Sequence, residues 1–275
     1  MRILSNNLAD SATITADPAM VATLPETNLQ NSFREQVARW TDVDLQSIHL
    51  AWASAAKYLS CVCLYRGNFS STATWRVRCW EDVTMTTAVY DSGTVLINPP
   101  TTLGGLEWGV DELGKNLYTD WDYSIAVAWF APVLTGAVTI DVTDVENPAG
   151  YVQAARLFVG AYFEAACGVA DGMTLGYREN TQQARTEGGS LRVEPGAIWR
   201  TLQVDTRMMG EPDRARVIDL ARNSGMRYDV FVSVFPERAD ELERDYQLQA
   251  RLVQQNPFTT NVPLTHGTTL TFEEI

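Results

Sequence analysis

Histidine is scarce in this chain, which has only His49 and His266. Imidazole is the usual general base and a common zinc ligand, so that scarcity narrows the chemistry available. A Ser-His-Asp triad would have to be assembled from residues far apart in sequence, and no local pattern supports one. His49 lies between Ile48 and Leu50 and reads as a structural strand residue. His266 precedes Gly267 and reads as a turn residue. Cysteine is sparse too. Cys61, Cys63, Cys79 and Cys167 are too few for a disulfide scaffold, and no C-x-x-C pair exists. They are expected as buried free thiols, Cys61 and Cys63 on one face of a strand. There is no G-x-S-x-G elbow, no phosphate-binding loop and no dinucleotide fingerprint. No catalytic residue, metal site or cofactor is expected. Long apolar runs are also missing. The longest, residues 125–134, is far too short to cross a bilayer, and the N-terminus turns polar by Ser5. The expectation is a soluble protein made in the cytoplasm, with no membrane insertion. Basic charge is short as well. The formal net charge of -13 disfavours a nucleic-acid partner, which needs clustered Lys and Arg.

What is present is a globular composition, 45% hydrophobic, sufficient for a real core. Most of the first 160 residues read as short strands with turn punctuation. In Thr74–Trp80, the residues Trp75, Val77 and Cys79 alternate with Arg76, Arg78 and Trp80, which predicts a half-buried strand. Residues 59–65, 94–97, 123–130, 138–142 and 151–159 are read as further strands. Asp91-Ser92-Gly93, Asn98-Pro99-Pro100 and Asn147-Pro148-Ala149-Gly150 are read as their turns. Residues 101–120 read as a long connection. This spacing predicts an antiparallel β-sandwich over 1–170.

A smaller β-rich unit with one or two short helices is expected over 171–275, the boundary falling between Gly168 and Ser190 in a polar, Gly-containing connection. Residues 198–204, 228–235, 248–254 and 268–272 read as strands, and 237–246 as a short acidic helical turn. A helix over 212–224 is signalled by Glu211-Pro212-Asp213 at its start and Gly225 after its end. Val217, Ile218 and Ala221 form its apolar stripe, expected to lie on a sheet made by 198–204 and 228–235.

Acid pairs raise the question of polysaccharide hydrolysis: Asp42 with Asp44, Asp120 with Asp122, and Asp141 with Asp144 and Glu146. Such pairs work only when geometry and environment separate their roles, and an acidic chain produces them by chance. The last group also raises calcium, but it lacks the EF-hand pattern and reads as a turn of solvated acids. Tryptophan is abundant, at eight residues. Trp75 and Trp129 sit in apolar strand patterns and are expected in the core. Trp108 and Trp121 flank the acidic connection and are the candidates for exposed contact, with protein favoured over sugar.

Several segments together resemble bacteriophage virion proteins encoded near the tail genes. They begin with Met1-Arg2-Ile3-Leu4-Ser5-Asn6-Asn7-Leu8, Asn28-Leu29-Gln30-Asn31 and Val37-Ala38-Arg39-Trp40. Val138-Thr139-Ile140-Asp141-Val142-Thr143-Asp144, Asn147-Pro148-Ala149-Gly150-Tyr151 and Ala155-Arg156-Leu157-Phe158-Val159-Gly160 are the most specific. They look like the closing strands of a discoidin-like, or galactose-binding-like, jelly roll. Leu175-Gly176-Tyr177, Thr186-Glu187-Gly188-Gly189, Asp213-Arg214-Ala215-Arg216 and Val230-Phe231-Val232-Ser233-Val234-Phe235-Pro236 continue the likeness, while Cys61-Val62-Cys63 departs from it. The resemblance implies a non-enzymatic component of a tail tip or baseplate. Its partners would be the tail tube, baseplate hub or fibres, and it would form a symmetric homo-oligomer in the virion. A carbohydrate-binding module aiding host adsorption is the second reading, and fold alone does not decide between them.

Overall fold

The computed structural model describes residues 1–53, 55–165, 173–255, 257–262 and 265–275. The chain divides into two compact units. The sandwich unit joins Asn6–Phe163 to Glu237–Asp245, and the second unit joins Met1–Ser5, Glu164–Pro236 and Tyr246–Ile275. Each unit is thus built from separated stretches, where the sequence reading drew two continuous ones. The reason lies in the pairing at the start of the chain. Strand β1 (Arg2–Leu4) is hydrogen-bonded into the sheet of the second unit.

The sandwich unit contains β2 (Thr13–Asp17), β3 (Ala38–Arg39), β4 (Gln46–Ala51), β5 (Lys57–Gly67), β6 (Thr74–Trp80) and β7 (Ala88–Asp91). It continues with β8 (Val95–Leu96), β9 (Ser124–Thr135), β10 (Ala137–Thr143), β11 (Gln153–Ala154) and β12 (Arg156–Gly160). One sheet has the order β2-β4-β10-β6-β7, with β8 also pairing β6; the other has the order β12-β5-β9. Their pairings are antiparallel. The fold is therefore an antiparallel β-sandwich.

Alternation builds its core. Ile48 and Leu50 of β4, Trp75, Val77 and Cys79 of β6, and Val138, Ile140 and Val142 of β10 are buried on one face. They meet Leu59, Val62 and Leu64 of β5, whose change of parity is absorbed by a register shift between Leu59 and Cys61. Cys61 and Cys63 are fully buried as well. Burial pushes the Cys63 thiol well up and the Cys79 thiol to about 12, so both stay protonated and inert. Cys167 lies outside the described residues.

The chain passes from one sheet to the other between β9 and β10, at Gly136. A Cβ there would lie 2.8 Å from the Asp82 backbone, which only glycine avoids. Two expectations are revised here. Residues 151–159 do not form one strand: β11 pairs β3 and β12 pairs β5, with Ala155 between them donating its N–H to Tyr65. Trp75 is buried as expected, but Trp129 is half-buried, edge-on to Tyr162.

The second unit adds β13 (Phe163–Glu164, at the junction), β14 (Thr174–Glu179), β15 (Gln182–Arg185), β16 (Leu191–Glu194) and β17 (Ile198–Met209). After the helix α1 (Glu211–Asn223) come β18 (Val230–Ser233), β19 (Gln247–Gln255), β20 (Thr259–Val262) and β21 (Thr265–Glu274). The main sheet runs β13-β1-β18-β19-β21-β17-β14, with β20 pairing β21. The short helix α2 (Glu241–Asp245) belongs to the sandwich unit.

Helix α1 begins and ends where its signals place it. Pro212 sits in its first turn with Glu211 and Asp213, and Gly225 takes φ +48 beyond its end. It packs on β17 and β21, not on a sheet made by 198–204 and 228–235. The first segment lies within β17 and the second contains β18, and β19 and β21 lie between these strands. Its buried apolar residues are Val217 and Leu220, while Ile218 is half-buried. The stretch expected as a connection up to Ser190 is also strand. β14 pairs β17, and β15 pairs β16. Residues 166–172, including Gly168, lie outside the described residues.

Candidate functional site

The connection between β8 and β9 carries the most exposed apolar surface of the sandwich unit. Two buried polar side chains lie at its base. Asn98 and Asn116 are both buried, and the Asn116 side-chain oxygen accepts the Tyr118 N–H. Higher up, Thr101 donates its N–H to Lys115, and the Glu107 N–H is held by Asp111. Lys115 Nζ reaches Asp111 at 2.8 Å and Asp120 at 3.2 Å, clamping the two arms of the loop.

Trp121 belongs to this base. It is half-buried, edge-on to Tyr118 and Tyr123, and Arg244 of the α2 segment lies 5.0 Å from its ring centre. Arg244 also donates to the Leu117 carbonyl at 2.8 Å. Arg66 stacks over Tyr123 at 4.3 Å. Expected as an exposed contact, Trp121 is instead the aromatic anchor on which the loop stands.

Trp108 occupies the opposite end. It is 84% exposed, and it shares the tip with Leu103 (63%), Val110 (70%) and Leu113 (81%). Trp108 was expected at an exposed contact; the three aliphatics beside it were not. Their signal was available: apolar residues in a polar connection with no strand or helix period to bury them.

Four of the acids have structural partners. Asp42 accepts the backbone N–H groups of Val43 and Asp44 in its own turn. Asp120 serves the Lys115 clamp. Asp141 projects from β10 to Arg78 at 2.5 Å and Ser47 at 2.7 Å. Asp144 is fully buried, accepting from the Ser70 backbone, the Ser70 hydroxyl and Asn147. These two are structural, not the solvated turn expected of them. Asp144 ties the turn after β5 to the turn after β10, and Asp141 joins β10 to β6 and β4. His49 contacts Thr139 across the outer sheet face, and His266 contacts Thr260. Among the described residues, no group of three or more His, Cys, Asp or Glu side chains could hold a metal. No helix among them is long and apolar enough to cross a membrane.

Comparison with known proteins gives the following. No protein-family model matches the chain, and no curated protein matches it. Among solved structures, the chain is similar to chitosan-binding module 1 of a chitosanase/glucanase from Paenibacillus sp. IK-5. Identity is 17%, coverage is 57% of this chain and 99% of that one, and the TM-score is 0.40. It is similar to the family 32 carbohydrate-binding module of Clostridium perfringens NanJ, at 14% identity, covering 59% and 100%, with TM-score 0.38. It is also similar to a Ruminococcus gnavus GH29 fucosidase, at 10% identity and TM-score 0.41, covering 58% of this chain and 27% of that enzyme.

On the outer face of the six-stranded sheet, Arg76 and Asp91 form a two-pronged pair at 2.9 and 2.5 Å. The Arg76 hydrogen bonds hold the Asp91 carboxyl down at about 2. A depressed folded-state value means that the pair's contribution is complete above pH 4 and is lost as pH falls toward 2. The pair is largely solvated, so the effect is small. Asp91→Asn is expected to melt slightly below the parent at pH 7, and the gap should close by about pH 2. Thermal melts of both proteins across that range check this; a gap that widens on acidification would contradict it.

Proposed function

We propose that this chain is a non-catalytic assembly protein of a bacteriophage tail tip or baseplate, and that its β8–β9 loop docks onto a neighbouring tail protein. The observation that carries this is the loop tip: Leu103, Trp108, Val110 and Leu113 all held in solvent on a braced base. Exposed aliphatic groups gain nothing from water. Covering these four would contribute on the order of 5 kcal/mol, which is the driving force of a docking contact. The phage context rests on the resemblance of the sequence segments described above. The absence of enzymatic turnover is supported by the separate structural engagement of Asp42, Asp120, Asp141 and Asp144.

A second reading has one observation in its favour. Trp108 is an exposed indole of the kind that stacks on a sugar ring. Two of the similar structures are a chitosan-binding module and a family 32 module in complex with galactose. The aliphatic neighbours of Trp108 support protein docking, because they suit a protein surface better than a pyranose.

The two readings separate by substitution in an infecting phage. Leu113→Asp is expected to keep the protein folded and to block its incorporation into tails. Under the sugar reading, Leu113→Asp virions would assemble normally, and Trp108→Ala virions would assemble but fail to adsorb.

A further inference from the structure

We propose that the protein covering the β8–β9 loop presents an apolar pocket rimmed by lysine and arginine, a partner chemistry that rests on the docking role of the loop proposed above. The loop tip is built as two consecutive turns. In the first, the N–H groups of Val110 and Asp111 donate to the Glu107 carbonyl, and the Glu107 N–H donates to the Asp111 carboxylate at 2.8 Å. In the second, the Lys115 N–H donates to the Glu112 carbonyl. Gly109 and Gly114 take φ +84 and +92, backbone reversals that favour glycine.

This scaffold sets where charge lies. Glu107 precedes Trp108 and Glu112 precedes Leu113, so each turn opens with an exposed carboxylate next to an exposed apolar side chain. Over residues 101–122 the acids are Glu107, Asp111, Glu112, Asp120 and Asp122, and the basic side chain is Lys115 alone. Lys115 is already shared between Asp111 and Asp120. Glu107 and Glu112 have no cationic partner among the described residues.

A surface that covers Trp108, Val110 and Leu113 must also take water from the two glutamates beside them. A carboxylate stripped of water costs free energy unless a cation or hydrogen-bond donors replace it. The loop has no cation left to give, so the partner supplies it. Arginine suits such a rim, because its planar fork pairs with a carboxylate through two bonds while its face can lie on an indole. The apolar side chains then supply the burial, and the rim sets approach and register. The same charges disfavour an anionic bilayer, since segments that enter a membrane interface carry Lys and Arg on their polar side. An anionic host polysaccharide is repelled in the same way.

The test is competition for places in the virion. Infected cells express one full-length variant beside the parent chain, and mass spectrometry of purified particles gives the ratio of the two. Glu107→Lys with Glu112→Lys should enter about tenfold less than the parent, and Glu107→Gln with Glu112→Gln by an intermediate amount. Glu35→Lys with Glu146→Lys makes the same change of charge on exposed residues of the sandwich unit outside the loop, and should enter like the parent. Leu113→Asn removes an apolar contact without adding charge, and should be nearly excluded. Unchanged far-ultraviolet circular dichroism shows that each variant is folded. If the reversal at Glu107 and Glu112 entered like the parent, or better, while Leu113→Asn was excluded, docking would stand and the basic rim would fall. If the control at Glu35 and Glu146 were excluded as strongly as the loop reversal, the effect would be one of total charge, and the rim would fall again. If Leu113→Asn entered like the parent, the docking role itself would fall, and the rim with it.

Discussion

Arg200→Ala is expected to destabilise the chain by about 3–5 kcal/mol, read as a shift in the urea unfolding midpoint. Arg200 and Glu274 form an ion pair whose side chains are 2% and 5% exposed. Arg200 donates from Nε and Nη2 to the two carboxylate oxygens at 3.0 and 2.9 Å, and its backbone N–H donates to the same group at 3.1 Å. Truncating the arginine strands the Glu274 carboxylate in a site it cannot leave. Removing the pair altogether is a different matter. Arg200→Met with Glu274→Leu replaces both charges by apolar groups of similar size, and most of the lost stability should return. If the double variant were as unstable as the single one, the cost would lie in lost packing and not in a stranded charge.

Leu220→Asp is expected to cost a similar amount, about 3–5 kcal/mol, by burying an unpaired carboxylate. Leu220 is 4% exposed on the face of α1 that packs on β17 and β21. Ile218→Asp should cost less, about 1–2 kcal/mol, because a half-buried side chain at the helix flank can turn its charge to water. Denaturation of the two full-length variants in parallel checks the ranking. Equal losses would mean that the helix is rotated toward Ile218.

That pair of residues shows how far the sequence could be read. The helix itself was legible because its start and stop rest on local chemistry: Pro212 in the first turn and Gly225 at a positive φ. Its stripe was read about one residue out of phase. Val217, Ile218 and Ala221 are all apolar, and only the position of β21 decides which side of the helix is covered. β21 lies far along the chain and pairs between β19 and β17, an order no local pattern encodes.

The sandwich followed the same rule. Thr74–Trp80 was plain because alternation with a period of two is local. The break at Ala155 was not, because it depends on β3 and β5 taking different halves of one apolar run. At the candidate site, Trp108 was named from its setting among acids. Trp121 sits in a similar setting, but its ring is claimed by Tyr118, Tyr123 and Arg244, the last of which arrives from the α2 segment. Likewise, Asp144 looks like a surface acid in a turn until Ser70 and Asn147 close around it.

The β8–β9 loop tip is proposed to touch another protein. The most direct measurement places a photo-activatable amino acid at position 108 and irradiates assembled phage tails. A crosslinked species containing this chain and a second tail polypeptide is expected, and it should be lost when Leu113→Asp is introduced. A position 108 that crosslinks no polypeptide in assembled tails, while the same particles bind host polysaccharide through it, would overturn the docking role of the loop.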